Sequence, residues 1–266
     1  MTVVTCWPSP ATDDGVGTTV TRTLLIRGMI VGVVAGLLSL VFAYVFGEPG
    51  IDSGVAFEDQ AARAAGEAPG MELVSRGVQS TIGLATAVVI YGAAIGGLFA
   101  LVYAVAYGRV GRLSPRGLAA TLAVVAYLVV VVVPFVKYPA NPPGANEPST
   151  ISDRTGLYVG LILISVILAV AAVLAAQRLA PRIGAWAATL TAAAAYLVVI
   201  GIIEFAMPAV NETPAGFPAA VLWQFRLASL GTQAVLWATL GLLFGWLTHR
   251  SLRHDRQMQL VGSPQN

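Results

Sequence analysis

Charged residues are scarce in this sequence: they make up 11% of its 266 residues, whereas hydrophobic residues make up 57%. A soluble globular domain carries about a quarter charged residues, so this chain has too little polar surface for a water-soluble fold. Its formal net charge of +2 gives no indication of nucleic-acid binding. We therefore expect the chain to lie in the lipid bilayer and not to bind nucleic acid.

Cysteine is almost absent as well, since Cys6 is the single example. One cysteine excludes a disulfide within the chain and a cysteine-based zinc site. The two histidines, His249 and His254, lie in a basic C-terminal segment, and the sequence has no GxSxG, HExxH or phosphate-loop motif. The sequence therefore predicts neither an enzyme nor a bound cofactor.

Long apolar runs are what the sequence has in abundance. In lipid, backbone polar groups must bond within their own segment, so such runs form helices, and about 20 residues cross the ~30 Å hydrocarbon core. We predict membrane-spanning helices at residues 24–46, 80–106, 117–136, 156–177, 184–207 and 221–247. The predicted fold class is an all-α polytopic membrane helix bundle of about six helices, and recurring polar positions suggest three helical hairpins.

The sequence divides into three parts around these helices. We predict a disordered cytoplasmic leader at residues 1–21, the transmembrane bundle at residues 22–250 and a cytoplasmic tail at residues 251–266. Prolines lie near the ends of several predicted helices, and Pro181 is predicted to separate the fourth and fifth helices. The longest connection is predicted to be a loop at residues 47–79.

Charge distribution sets the predicted orientation. With the N-terminus inside, ten of the 15 Lys and Arg residues lie on the cytoplasmic side and five lie outside. Basic residues concentrate in short cytoplasmic loops, so we expect a multi-pass plasma-membrane protein with both termini in the cytoplasm. Ten of the 13 acidic residues then lie outside, which makes the predicted outer face acidic.

Glycines recur four residues apart in several predicted spans, a spacing that lets helices approach closely. The examples are Gly28 with Gly32 and Gly36, Gly92 with Gly96, and Gly156 with Gly160. We interpret them as helix-packing positions.

Oxygen-bearing side chains near the predicted outer surface are the candidate metal ligands. Carboxylate and amide oxygens suit hard divalent cations and hold softer ones loosely, and loose binding suits a carried ion. The candidates are Glu48, Asp52, Glu58, Asn141 and Glu204. The same residues could equally form an ordinary solvated or ion-paired surface.

Three basic residues near the same surface are candidates for structural or gating roles: Lys137, Arg154 and Arg226. Arg226 and Glu204 end up at similar predicted depth on neighbouring helices, so we expect them to pair. The proline-rich segment 137–143 is stiff, and we expect it to fold over the outer ends of the helices with Tyr138 packed inward.

Several longer strings in the sequence are typical of one family of prokaryotic membrane proteins. They are RGM at 27–29, FGEP at 46–49, AFE at 56–58, PFVKYPANPP at 134–143, DRT at 153–155 and FRLASLGTQ at 225–233. Together, these strings resemble the CbtA family, the probable cobalt transporter subunits, over residues 22–250. The resemblance implies a cobalamin-linked role in cobalt uptake and a small single-span, histidine-bearing partner, CbtB.

These observations favour the membrane-spanning subunit of a divalent metal-ion uptake system that gathers ions at an acidic outer face. The resemblance to the CbtA family is what indicates cobalt as the ion. The alternative is a membrane scaffold or sensory subunit that transports nothing, which the scarcity of charge inside the spans supports. A membrane-embedded enzyme is disfavoured because no nucleophile and base stand together in the sequence.

Overall fold

The computed structural model describes residues 14–66, 84–110, 113–146, 148–210 and 213–251. In these residues the secondary structure is helical and contains no strand. The first helices are α1 (Asp14–Phe46), α2 (Glu48–Ala64) and α3 (Leu84–Ala106). They are followed by α4 (Pro115–Lys137), α5 (Ile151–Ile183), α6 (Ala185–Ala206) and α7 (Ala219–Ser251).

Every helix in this series except α2 is long and apolar enough to cross a membrane, which gives 6 candidate spans. Large apolar side chains remain exposed on them, such as Phe205 at 91% and Trp186 at 77%. Such surfaces are stable against lipid and costly against water. The predicted all-α polytopic membrane helix bundle is therefore confirmed.

Helix α1 begins earlier than its apolar run. Residues 14–21, which were predicted to be a disordered leader, form its first turns. Once a long helix is nucleated, each added residue gains a backbone hydrogen bond, so the helix extends into the polar sequence. Residues 1–13 of the predicted leader and residues 252–266 of the predicted tail lie outside the described part of the chain.

The predicted loop at residues 47–79 contains helix α2, so that prediction is wrong for residues 48–64. Pro49 stands in the first turn, where a missing N–H costs nothing. Glu48 in the first turn and Arg63 in the last complement the helix dipole. A surface helix therefore follows α1 after the single residue Gly47.

Pro181 does not separate two helices, contrary to the sequence-based prediction. It lies inside α5, and the helix ends at Gly184 instead, which adopts a φ of +84°. A φ in this range favours glycine because any Cβ would be strained. Helices α5 and α6 pack against each other, with Leu161 and Ile200 both buried in the same apolar cluster.

Helix α4 contains a π-helical turn at Tyr127–Val132, directly before Pro134. Within it, the N–H of Val133 donates to the carbonyl of Leu128, five residues back. Pro134 has no N–H to continue that pattern, so the carbonyl of Val129 needs another donor. The hydroxyl of Ser165 on α5 supplies it at 2.7 Å, and the hydroxyl of Tyr196 on α6 lies 2.7 Å from Ser165 Oγ.

The chain divides into two compact units. The first contains α1 up to Leu37, all of α3, α4 up to Leu122, and α7 from Thr239 onward. In it α1 and α3 meet backbone to backbone, because a Cβ at Gly32 would overlap the carbonyl of Gly92. Gly28 and Gly96 meet in the same way, as the glycine spacing predicts.

The second unit contains the end of α1 from Leu38, all of α2, α4 from Ala123, α5, α6 and α7 up to Ala238. Its apolar cluster is built on Tyr138, Leu161 and Ile200. Gly156 and Gly160 on α5 have open space around them, so their predicted packing role finds no neighbour within the described residues. All the candidate site residues belong to this second unit.

Candidate functional site

The segment Tyr138–Asn146, called here the proline loop, connects α4 to the short turn before α5. Tyr138 is 3% exposed and Ala145 is fully buried. The hydroxyl of Tyr138 donates to the carbonyl of Pro208, 2.9 Å away. Burial raises the pKa of Tyr138 above its ordinary value, so this hydroxyl stays protonated and keeps donating. The expectation that the loop packs on the helices, with Tyr138 inward, is confirmed.

Two arginines hold the proline loop in place. Arg226, near the start of α7, donates to the carbonyl of Ala140 at 3.3 Å and to Asn141 Oδ1 at 2.8 Å. Arg154, in the first turn of α5, donates to the carbonyl of Pro139 and to the Asn146 Oδ1 at 2.7 Å. Each guanidinium therefore binds one backbone carbonyl and one asparagine of the loop.

The two asparagines also donate hydrogen bonds to backbone carbonyls within the loop itself. Asn141 Nδ2 donates to the carbonyl of Ala145 at 3.4 Å, and Asn146 Nδ2 donates to the carbonyl of Pro142 at 3.3 Å. The Oδ1 atom of Asn141, a candidate metal ligand, therefore faces the cation of Arg226. A guanidinium at this distance makes Asn141 a poor ligand for a second cation.

Helix α2 packs on the other side of the proline loop. A Cβ at Gly54 would overlap the carbonyl of Pro143, so the two backbones touch. Gly144, with a φ of +71°, lies against the same turn of α2. Further along α2, Phe57 packs edge to face on Phe217 with ring centroids 5.0 Å apart. Only glycine allows this close approach of helix and loop.

The exposed face of α2 carries the carboxylates. At about 100° per residue, Glu48, Asp52 and Asp59 fall within roughly 40° of one another around the helix axis. Gly50 and Gly54, the buried residues of α2, lie on the opposite side. Glu48, Asp52, Glu58 and Asp59 are all exposed. The three that share one side, Glu48, Asp52 and Asp59, are called here the acidic face of α2. Glu58 lies about 100° around the helix from them, beside Gly144 of the proline loop.

The predicted pair of Glu204 and Arg226 does not form. The described hydrogen bonds of Arg226 go to the proline loop, and the positive charge of Arg154 acts on it. The charge of Lys137, at the end of α4, acts on half-buried Glu204. The prediction was wrong because the loop carbonyls, which a helix-based interpretation ignores, compete for the guanidinium of Arg226.

The structure brings the basic candidates together and leaves the acidic face of α2 apart from them. Lys137 directly precedes the proline loop, Arg154 and Arg226 donate to it, and the charge of Lys137 acts on Glu204. Among the described residues, no group of three or more His, Cys, Asp or Glu side chains could hold a metal ion. The proline loop is thus a structural element held by cations, and the acidic face of α2 is a separate exposed surface.

Two features escaped the sequence-based predictions. Helix α2 was missed, although Glu48-Pro49 is a sequence signal for a helix start. The polar contact of Ser165, Tyr196 and the Val129 carbonyl inside the spans was also missed. The sequence signal for this contact is Pro134 within an apolar run. Proline has no N–H, so one backbone carbonyl of the helix needs a hydrogen-bond donor from another helix.

A family model described as "Probable cobalt transporter subunit (CbtA)" matches residues 21–249. No curated protein matches the chain, and no solved structure matches it.

Proposed function

Since this chain belongs to the CbtA family of probable cobalt transporter subunits, we propose that it forms the membrane-spanning part of a divalent-cation uptake system, with cobalt as its cargo. The family match over residues 21–249 carries this proposal. Six apolar helices support it, because a chain of this architecture can enclose a path across the bilayer.

The acidic face of α2 is the proposed collecting surface for the cation. Glu48 and Asp52 stand one helical turn apart and point the same way, so two carboxylates can attract one divalent ion. Exposed carboxylates bind such an ion weakly, and weak binding is what a carried ion needs because it must also leave. Glu58 points about 80–120° away from these two carboxylates and lies beside Gly144 of the proline loop, so it is a further candidate ligand between this surface and the loop.

Glu204 is proposed as the next carboxylate that the cation meets. It lies near the end of α6, half-buried, and Lys137 is the charge that acts on it. A cation arriving at Glu204 would compete with Lys137 for the carboxylate, so Lys137 has a proposed gating role. Arg154 and Arg226 have the structural role of holding the proline loop.

The proposed orientation places α2, the proline loop and Glu204 on the outer side of the plasma membrane, with both termini in the cytoplasm. It rests on the ten basic residues on the cytoplasmic side against five outside. A subunit also implies a partner, and we propose a small single-span protein that bears histidines, like CbtB. Imidazole ligands on that partner would suit cobalt, which favours nitrogen donors more than hard cations do.

The alternative function, a scaffold or sensory subunit without transport, is favoured by one observation. Three cations, Lys137, Arg154 and Arg226, adjoin the proline loop on the proposed outer side. Their field would oppose the approach of a divalent cation at that point. The transport proposal requires that cations avoid the loop and approach through the acidic face of α2.

Radioactive cobalt uptake separates these functions. Cells that lack other cobalt importers would carry this protein, with or without its single-span partner, and accumulated cobalt would be counted at low external concentration. We expect uptake above that of the empty vector. Uptake equal to the vector with the protein present in the membrane, with and without the partner, would contradict transport and favour the scaffold.

The acidic face of α2 is tested in the same assay. Glu48→Gln combined with Asp52→Asn should lower cobalt uptake several-fold at low cobalt concentration, because the collecting carboxylates are gone. Both residues are exposed, so expression should be unchanged. The matched control is Asp153→Asn, an exposed acid outside α2, which should leave uptake unchanged. Equal uptake by both variants would remove the acidic face of α2 from the mechanism.

A further inference from the structure

A row of polar side chains runs along α7 from near its start toward the middle of the span. At about 100° per residue, Arg226, Ser229 and Gln233 fall within roughly 60° of one another around the helix axis. All three are half-buried, and Gln233 lies near the middle of the candidate span Ala219–Ser251. These three residues are called here the polar stripe of α7.

The polar stripe of α7 is turned away from the most lipid-exposed side of the helix. Leu227, which is 49% exposed, points about 120° away from Gln233 around the helix axis. The hydroxyl of Tyr127 on α4 donates to the carbonyl of Leu230 at 3.2 Å, so α4 lies beside α7 within one turn of Gln233. Polar side chains within a membrane bundle face its interior or a water-filled cavity, and they commonly mark ion pathways.

Hydrogen bonding leaves the inner part of the polar stripe with unused capacity. Arg226 donates to the proline loop, and the hydroxyl of Ser229 donates to the carbonyl of Phe225 at 2.9 Å. That bond uses the proton of Ser229, so its oxygen can still accept. The amide of Gln233 forms no hydrogen bond with any residue that the structure describes.

The amide of Gln233 is costly where it stands. Hydrocarbon offers no hydrogen bond to an amide near the middle of the bilayer, whereas a leucine of similar size would lie there without cost. Stability of the bundle therefore does not account for a glutamine at this position. The amide needs a polar partner that comes from outside the described protein, which means water or an ion that carries water with it.

We propose that Ser229 and Gln233 form a hydrated binding station for the cargo cation inside the membrane, deeper along α7 than the proline loop. The assignment to the cargo cation rests on the proposed uptake function, in which the ion arrives through the acidic face of α2 and Glu204. The two side chains stand one turn apart and offer neutral oxygen ligands, so they hold an ion loosely enough for release. Arg226, about 10 Å outward on the same stripe, opposes the ion's passage toward the loop.

Cysteine labelling of the purified full-length protein in detergent micelles tests whether the station is hydrated. With Cys6 replaced, Gln233→Cys should react at least about tenfold faster than Leu227→Cys with a small, charged methanethiosulfonate reagent, because a thiol against hydrocarbon does not ionise. Leu227 lies nearer the end of the span, so depth alone predicts the opposite order. The measurement does not depend on cobalt transport. Equal or slower labelling at residue 233 would overturn the station.

Substitution by leucine separates a ligand from a structural residue. Gln233→Leu should lower cobalt uptake several-fold at low cobalt concentration, while the melting temperature of the purified protein stays the same or rises, because an unpaired amide is removed. The matched control is Gln224→Leu, at an exposed position about 180° from Gln233 around α7, which should leave uptake unchanged.

The two measurements together decide between the possible outcomes. Normal uptake in Gln233→Leu, or a loss of uptake that comes with a loss of stability, would overturn the role of Gln233 as a ligand. Fast labelling at residue 233 in a protein that takes up no cobalt would contradict the proposed function. It would leave the station hydrated and overturn its assignment to the cargo cation.

Discussion

Arg226 and Arg154 are the residues on which the conformation of the proline loop depends. A proline-rich segment offers backbone carbonyls but few N–H groups, so its backbone cannot satisfy all of its own acceptors. The two guanidiniums donate to carbonyls of Pro139 and Ala140. A hydrogen bond from a charged donor contributes about 1.5–3 kcal/mol, more than a neutral bond would.

The partner of Arg226 can be identified by a double-mutant cycle. Arg226→Gln should lower the free energy of unfolding by about 1–3 kcal/mol, because bonds to the loop are lost. Glu204→Gln should have its own separate effect, and the double variant should show the sum within about 0.5 kcal/mol. Unfolding of the purified protein by denaturant in detergent micelles measures all three variants. Recovery of stability in the double variant would show that the two side chains are paired after all.

At the scale of helices, backbone contacts decide which glycines matter. Gly32 on α1 lies against the carbonyl of Gly92 on α3, and an added Cβ would overlap it. Gly160 on α5 has nothing near the position of its Cβ. The same pattern of glycines four residues apart therefore has two different consequences within one chain.

Matched alanine substitutions test this difference. Gly32→Ala should lower the melting temperature of the protein by several degrees, because α1 and α3 must move apart. Gly160→Ala should be neutral or slightly stabilising, since alanine is the better helix former. A thermal aggregation assay in the same detergent compares them directly. Equal losses in the two variants would contradict the contact between α1 and α3.

Ser165 and Pro134 form a second testable connection between helices. Ser165→Ala should destabilise the protein by about 1–3 kcal/mol, because the buried carbonyl of Val129 loses its described donor. Pro134→Ala restores a backbone N–H in α4 at the position that would bond that carbonyl. The double variant should therefore lose less than Ser165→Ala alone, in the same unfolding measurement. A double variant as unstable as the sum of the two singles would show that the proline is unrelated.

The packed state of the proline loop is accessible to cysteine labelling. With Cys6 replaced, Ala145→Cys should react slowly with a bulky, membrane-impermeant maleimide, because residue 145 is fully buried. Ala64→Cys, at the exposed end of α2, should react at least tenfold faster if both face the same side. Fast labelling of both in Arg226→Gln would show that this arginine keeps the loop closed. Equal rates in the otherwise native chain would contradict the packed loop.

For the whole molecule, the remaining question is which end faces the cytoplasm. Fusions of alkaline phosphatase, which is active only outside the cytoplasm, should be active after residue 66 and inactive after residue 251. This follows from the excess of basic residues on the proposed cytoplasmic side. Blot detection of each fusion controls for expression. Activity after residue 251 together with none after residue 66 would invert the proposed orientation.

The sequence by itself determined the architecture of this protein. Six apolar runs separated by proline, glycine and charge specify six helices, because lipid leaves a spanning backbone no other way to satisfy its hydrogen bonds. The strings that resemble the CbtA family also identified the family that the comparison confirmed. Both properties depend on local sequence, so neither required knowledge of distant contacts.

Tertiary structure alone decided how the polar residues are used. Whether Arg226 reaches Glu204 or Asn141 depends on where the proline loop lies, and the loop lies there because Gly54 lets α2 touch Pro143. Ser165 likewise donates a hydrogen bond to the carbonyl of Val129, 36 residues away in the chain. Such contacts join residues far apart in the chain, and a side chain with several possible partners chooses among them only when the helices have packed.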